Sequence, residues 1–223
     1  MKKSLIAAFL VSTLAGCSTM GANDAAHADR NAWANDINTR CTEVGKDFTQ
    51  AGYAVDKVSQ AIISLTERQC GVINSYQTIS KKHAEITGFM AANEDLDEEG
   101  LKAAIAEFDA SKPANKKIGP QIKAYEEAQD EIFMENIQLA ADLALQSYEI
   151  TMIASENSMA ILQHTVLSQF SSETETLPVI EAYYEMEDRA LLIKDAQFLI
   201  NEGKALIERI EDIDNIISES VAS

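Results

Sequence analysis

Between Val44 and Met90 the chain repeats at alternating steps of four and three residues. The positions are Val44, Phe48, Ala51, Val55, Val58, Ile62, Leu65, Gln69, Val72, Tyr76, Ile79, His83, Ile86 and Met90, apolar except for Gln69 and His83. Steps of three and four keep one stripe of an α-helix turned toward a partner helix. At ~1.5 Å per residue an unbroken helix of this length would be a rod of ~70 Å, natural for an elongated bundle and too long for a compact globule. Such a rod cannot leave its stripe in water, so other segments must cover it.

The rest of the chain supplies those segments. Ile37 and Cys41 extend the stripe backward, which predicts a first helix over about residues 30 to 88, with Gly45, Gly52 and Gly71 as its weak points. An acidic connector, Ala92 to Gly100, leads into a short amphipathic helix whose stripe is Leu101, Ala104, Ile105 and Phe108. The turn from Ser111 to Pro120 holds three lysines and both breakers. Pro120 favours the start of the next helix, where Ile122, Tyr125, Ile132, Phe133, Ile137, Leu139 and Leu143 are apolar. Ala141, Leu145, Tyr148, Met152, Ser155, Met159, Leu162 and Val166 then repeat the four-three rhythm, with Ile150, Ile153 and Ile161 lying off that seam toward a second neighbour. After a turn at Ser171 to Thr176, Pro178 opens the last helix. Its seam of Leu192, Ala196, Leu199, Gly203, Leu206, Ile210, Ile213 and Ile217 is widened by Ile193, Ile200 and Ile207, as in a globular bundle. Only 3 Pro, 9 Gly and 6% aromatic residues agree with helices over a turn-rich sheet protein. The expected fold is all-α, an elongated antiparallel helical bundle of three long helices plus one short helix, spanning residues 30–223.

Cys41 and Cys70 pose a geometric choice. On one continuous helix they stand ~43 Å apart, whereas a disulfide needs Cα atoms within about 7 Å. Either the helix folds back near Gly52 and an intrachain bridge forms, or the thiols are free and buried or pair between molecules. An unbroken helix predicts free, buried thiols.

The first residues follow different rules. Lys2 and Lys3 precede an apolar run from Leu5 to Leu14, shorter than the about 20 residues a transmembrane helix needs. The run closes on Leu14-Ala15-Gly16-Cys17, which resembles the lipobox of bacterial lipoproteins. The resemblance covers the leader alone. It implies that residues 1–16 are a signal peptide, that Cys17 carries a thioether-linked diacylglycerol, and that the new amino terminus takes a further acyl chain such as palmitate. Ser18 stands where Asp would mark inner-membrane retention, which implies the outer membrane, facing the periplasm. Two or three acyl chains anchor stably where one is marginal. Residues 17–29 are small and polar after the cysteine and predict a flexible tether, with His27 solvated inside it.

A net charge of -18 repels nucleic acid and anionic headgroups, so no nucleic-acid partner is expected and the membrane is reached through Cys17. Chemistry is scarce. His83 and His164 each lack the Glu that a di-iron Glu-x-x-His motif requires three residues earlier. No haem-attachment, zinc-protease, P-loop or nucleophile-elbow motif occurs. Asp95, Asp97, Glu99 and Gly100 mimic the start of a calcium loop, but the twelfth position is Ala106 and helix capping explains the acids. Gln69 and His83 fit register-setting polar positions, and Met134, Met152, Met159 and Met186 fit core filler. No catalytic, cofactor-binding or metal-binding residue is expected, and no cofactor. These features predict a noncatalytic, membrane-anchored envelope lipoprotein acting as a helical scaffold or adaptor for other cell-envelope proteins. The alternative is a periplasmic binding module that holds an apolar ligand or lipid between helices.

Overall fold

The computed structural model describes residues 30–158 and 177–222, and the chain is all-α. Six α-helices lie among the described residues: α1 Arg30–Glu43, α2 Tyr53–Lys82, α3 Ala84–Asn93, α4 Glu98–Asp109, α5 Ile118–Glu156 and α6 Pro178–Ala222. The three long helices of the sequence pattern are present as α2, α5 and α6. The first is not the unbroken rod expected, and three short helices stand where one was foreseen.

Two breaks divide it. α1 ends where Gly45 takes φ of +58°, a left-handed conformation that glycine adopts at helix ends without steric penalty. Gly52, at φ +106°, returns the chain into α2, whose first turn is closed by Asp56 accepting from the Ala51 amide at 2.8 Å. Gly71 stays inside α2 and breaks nothing. The second interruption is at His83, whose φ, ψ of -107°, 37° separate α2 from α3.

The fold-back settles the cysteines. Cys41 on α1 and Cys70 on α2 form a disulfide with Cα atoms 5.7 Å apart, so the expectation of free thiols fails with the continuous helix it rested on.

Contacts divide the chain into two compact units. The first combines the described residues up to Cys70 with those between Leu139 and Asp195. Its core takes Ile37 from α1, Val55, Val58, Ile62 and Leu65 from α2, Leu139, Leu143, Ile150 and Ile153 from α5, and Ile180, Met186 and Ile193 from α6. The connection between α1 and α2 crosses α6 in this unit and is held by two of its side chains. Arg189 donates to the carbonyls of Asp47 at 2.7 Å and Val44 at 3.3 Å. Glu185 accepts from the Thr49 amide at 2.9 Å and the Thr49 hydroxyl at 2.8 Å. Arg40 meets Asp195 at 2.6 Å nearby.

The second unit combines Gly71–Gln138 with the chain from Ala196 onward. Ile73, Tyr76, Ile86, Leu101, Ile105, Ile118, Ile122 and Tyr125 pack with Leu199, Ile200, Ile207 and Ile210. The wide seam expected for α6 is buried at both seam and flank positions from Leu192 to Ile213, with Ile217 half-buried. At the edge of this core the buried Asn136 donates to the side chain of the exposed Asn201 at 3.0 Å. Asp109 Oδ1 accepts from the Ile118 amide at 2.8 Å, which lets α5 begin two residues before Pro120.

Candidate functional site

The residues singled out in the sequence scatter through the molecule. Cys17, His27, Met159, His164 and the turn at Ser171 to Thr176 lie outside the described residues. His83 occupies the α2–α3 break, half-buried, its ring 5.4 Å from that of Tyr125. Gln69 is fully buried in the α2 seam. Asp97 caps α4, its Oδ1 accepting from the Gly100 amide at 2.8 Å, the role that the acids of this connector were expected to play. Lys112, from the basic turn, is drawn inward: it pairs with Glu85 and lies 3.1 Å above the centre of the Phe108 ring. Among the described residues no group of three or more His, Cys, Asp or Glu is arranged to hold a metal ion.

Two expectations for α5 are corrected. Of the methionines assigned to the core, Met186 is fully buried, but Met134 and Met152 are 68% and 44% exposed. The four-three seam of Ala141, Leu145, Tyr148 and Met152 also faces outward, Leu145 and Tyr148 being 68% and 69% exposed. The buried side of α5 in the first unit is formed by Ile150 and Ile153, the residues that lay off that seam, with Leu139 and Leu143. Two apolar stripes coexist on the helix, and periodicity alone does not say which one the core takes. The neighbouring acids Asp142, Glu149 and Glu156, at strict steps of seven beside the outward stripe, are the signal that marks it as exposed. In the second unit Met134 and Ile137 form a smaller apolar patch, rimmed by Asp130, Glu131 and Glu135.

Acid crowding has its own consequence. Burial, then Glu126, Asp212 and Glu208, hold the Glu211 carboxyl above its ordinary value of 4.5. Burial and Asp109 raise Asp214, against Lys117, while burial and Asp188 raise Glu187, against Lys194. Burial, followed by Glu187, pushes the Tyr183 phenol up to about 12. A carboxyl whose folded value is raised favours the folded state while protonated, and that contribution is lost as pH rises from the unfolded value through the folded one. Glu85 and Glu98 run the other way: hydrogen bonds from Lys112 and Lys102 lower them, so their contribution is lost only as pH falls below 4.5. Thermal midpoints are therefore expected to rise on acidification from about pH 8 to about pH 5 and to fall below about pH 4, with Glu211→Gln reducing the first rise. A midpoint that declines steadily from pH 8 downward would contradict this account of the raised acids.

Comparison with protein-family models, with curated proteins and with solved structures finds no match for the chain.

Proposed function

We propose that this chain is a noncatalytic envelope lipoprotein, anchored through Cys17 and acting as a helical scaffold or adaptor for other cell-envelope proteins. The observation that carries the adaptor role is the outward apolar stripe of α5. Leu145, Tyr148 and Met152 stand in solvent on a helix whose opposite side already completes a core. Exposed apolar rows of this kind mark protein or membrane contacts. The acids beside the row disfavour anionic lipid, which leaves protein as the partner class. The leader supports the address, since a basic start, a short apolar run and Leu14-Ala15-Gly16-Cys17 occur in the order of a lipoprotein signal. No helix among the described residues is long and apolar enough to cross a membrane.

Two measurements test the proposal. Cys17→Ala is expected to abolish metabolic labelling with a palmitate analogue and to remove the protein from the washed membrane fraction. Unchanged labelling sinks the anchor. Crosslinking of intact envelopes followed by affinity purification is expected to recover the same partner proteins from independent preparations. Reproducible failure to recover any sinks the adaptor.

A further inference from the structure

We infer that the outward face of α5 in the first unit is a docking seam for a cationic amphipathic helix of a partner protein. The inference rests on the adaptor reading and names the chemistry of the partner.

The geometry is that of a helix with two working sides. At about 100° per residue, Leu139, Leu143, Ile150 and Ile153 centre on one side of α5, and Ala141, Leu145, Tyr148 and Met152 centre on the opposite side. The first set is buried and the second exposed. A helix required only to cover a core carries polar residues on its far side. Here the far side has the steps of four, three and four that a coiled-coil partner fills.

Charge selects the occupant. Asp142, Glu149 and Glu156 recur every seven residues along one edge of the stripe, the placement by which flanking charges choose partners in helix pairs. Asp142 meets Arg68 at 3.0 Å, and Glu149 and Glu156 are exposed. No lysine or arginine occurs between Lys123 and Arg189, so α5 offers no base to offset this row anywhere along the stripe. A second copy of the chain would bring the same acids against it, and like charges across an interface oppose association. A helix with an apolar stripe flanked by lysine or arginine both covers the apolar side chains and neutralises Glu149 and Glu156, the acids of the row that Arg68 does not meet.

The test uses the full mature chain in nanodiscs of zwitterionic lipid and fluorescence anisotropy. The probe is a synthetic helix of about 18 residues with leucine on one face and lysine on the other. Two controls accompany it, one with glutamate in place of lysine and one with the lysine peptide's composition in scrambled order. The lysine helix is expected to bind, the glutamate helix not to bind, and the scrambled peptide to bind about tenfold more weakly or less. Combined Leu145→Gln, Tyr148→Gln and Met152→Gln substitutions are expected to weaken binding by about tenfold or more with the thermal midpoint unchanged. Glu149→Gln with Glu156→Gln is expected to weaken it and to flatten its dependence on salt between about 0.15 M and about 0.5 M.

Equal binding of the scrambled peptide, or full binding by the glutamine triple variant, overturns the seam. So does a wild-type dimer in sedimentation that the triple variant abolishes, because the occupant is then a second copy. Loss of peptide binding with envelope partners still recovered refutes the seam and spares the adaptor reading. Intact peptide binding with no reproducible envelope partner does the reverse.

Discussion

Reducing the Cys41–Cys70 disulfide is expected to lower the thermal midpoint of this protein by about 10 °C, the shift that follows from losing about 3–4 kcal/mol in a chain of this size. The bridge spans 29 residues of sequence and ties the last turn of α1 to α2. Its main effect is on the unfolded chain, whose freedom a closed loop of this length restricts. In the folded state it also fixes the return of α1 onto α2, because the connection between them contains two glycines in left-handed conformations and little helical structure of its own. Cys41→Ala with Cys70→Ala should reproduce the effect of reduction. Cys41→Ala alone should give the same loss and leave Cys70 open to dimer formation on a non-reducing gel. A midpoint unchanged after thiol titration shows complete reduction would mean that folded-state contacts alone close this loop.

The disulfide also shows where the sequence stops being legible. From Val55 to Tyr76 the alternating steps identify a helix and its buried face, because Val55, Val58, Ile62, Leu65, Gln69, Val72 and Tyr76 are all inside. Val44, Phe48 and Ala51 continue the same spacing yet lie in the connection. Three apolar residues at helical intervals cannot outweigh two glycines set in positive φ and a covalent tie, and nothing in the periodicity carries that information. α6 was readable through its breadth, since a run rich in isoleucine and leucine at both seam and flank positions has only one solution, burial on more than one side. α5 was not, because two stripes of similar hydropathy compete and the choice is made by shape. Ile150 and Ile153 go inside, and the acids at intervals of seven belong to the other side.

The candidate site was half visible for the same reason. Its residues were identified as a seam, but as one already filled from within the chain. Polar core residues such as Gln129 and Asn136, both fully buried, likewise interrupt an apolar row without announcing whether they face solvent or interior. Charge arrangement carries the missing information. An acidic row at heptad spacing belongs beside a solvent-facing stripe, and together with hydropathy it places Leu145, Tyr148 and Met152 outside.

Replacing Arg189 is expected to be the most damaging single substitution at the connection. Its side chain is 6% exposed, and its guanidinium donates to Asp47 O and Val44 O, to Glu185 O at 3.3 Å, and lies 3.9 Å from the Glu185 carboxylate. Arg189→Met keeps the apolar stem, removes the charge, and strands two carbonyls of a connection that has few other bonds. The loss is expected to be about 2–4 kcal/mol in urea unfolding. Arg189→Lys retains the charge but has one nitrogen where the guanidinium uses two, Nη2 for Val44 O and Asp47 O and Nη1 for Glu185 O, so about half of that loss should remain. Because Arg189, Glu185 and the disulfide restrain the same nine-odd residues between α1 and α2, their contributions should couple. Combining Arg189→Met with Cys41→Ala and Cys70→Ala is expected to depart from additivity by more than about 0.5 kcal/mol, and the Thr49 amide, held by Glu185, should exchange with solvent faster in each variant. Strict additivity, with Thr49 exchange unmoved by Arg189→Met, would show that the guanidinium supports α6 locally and does not hold the fold-back in place.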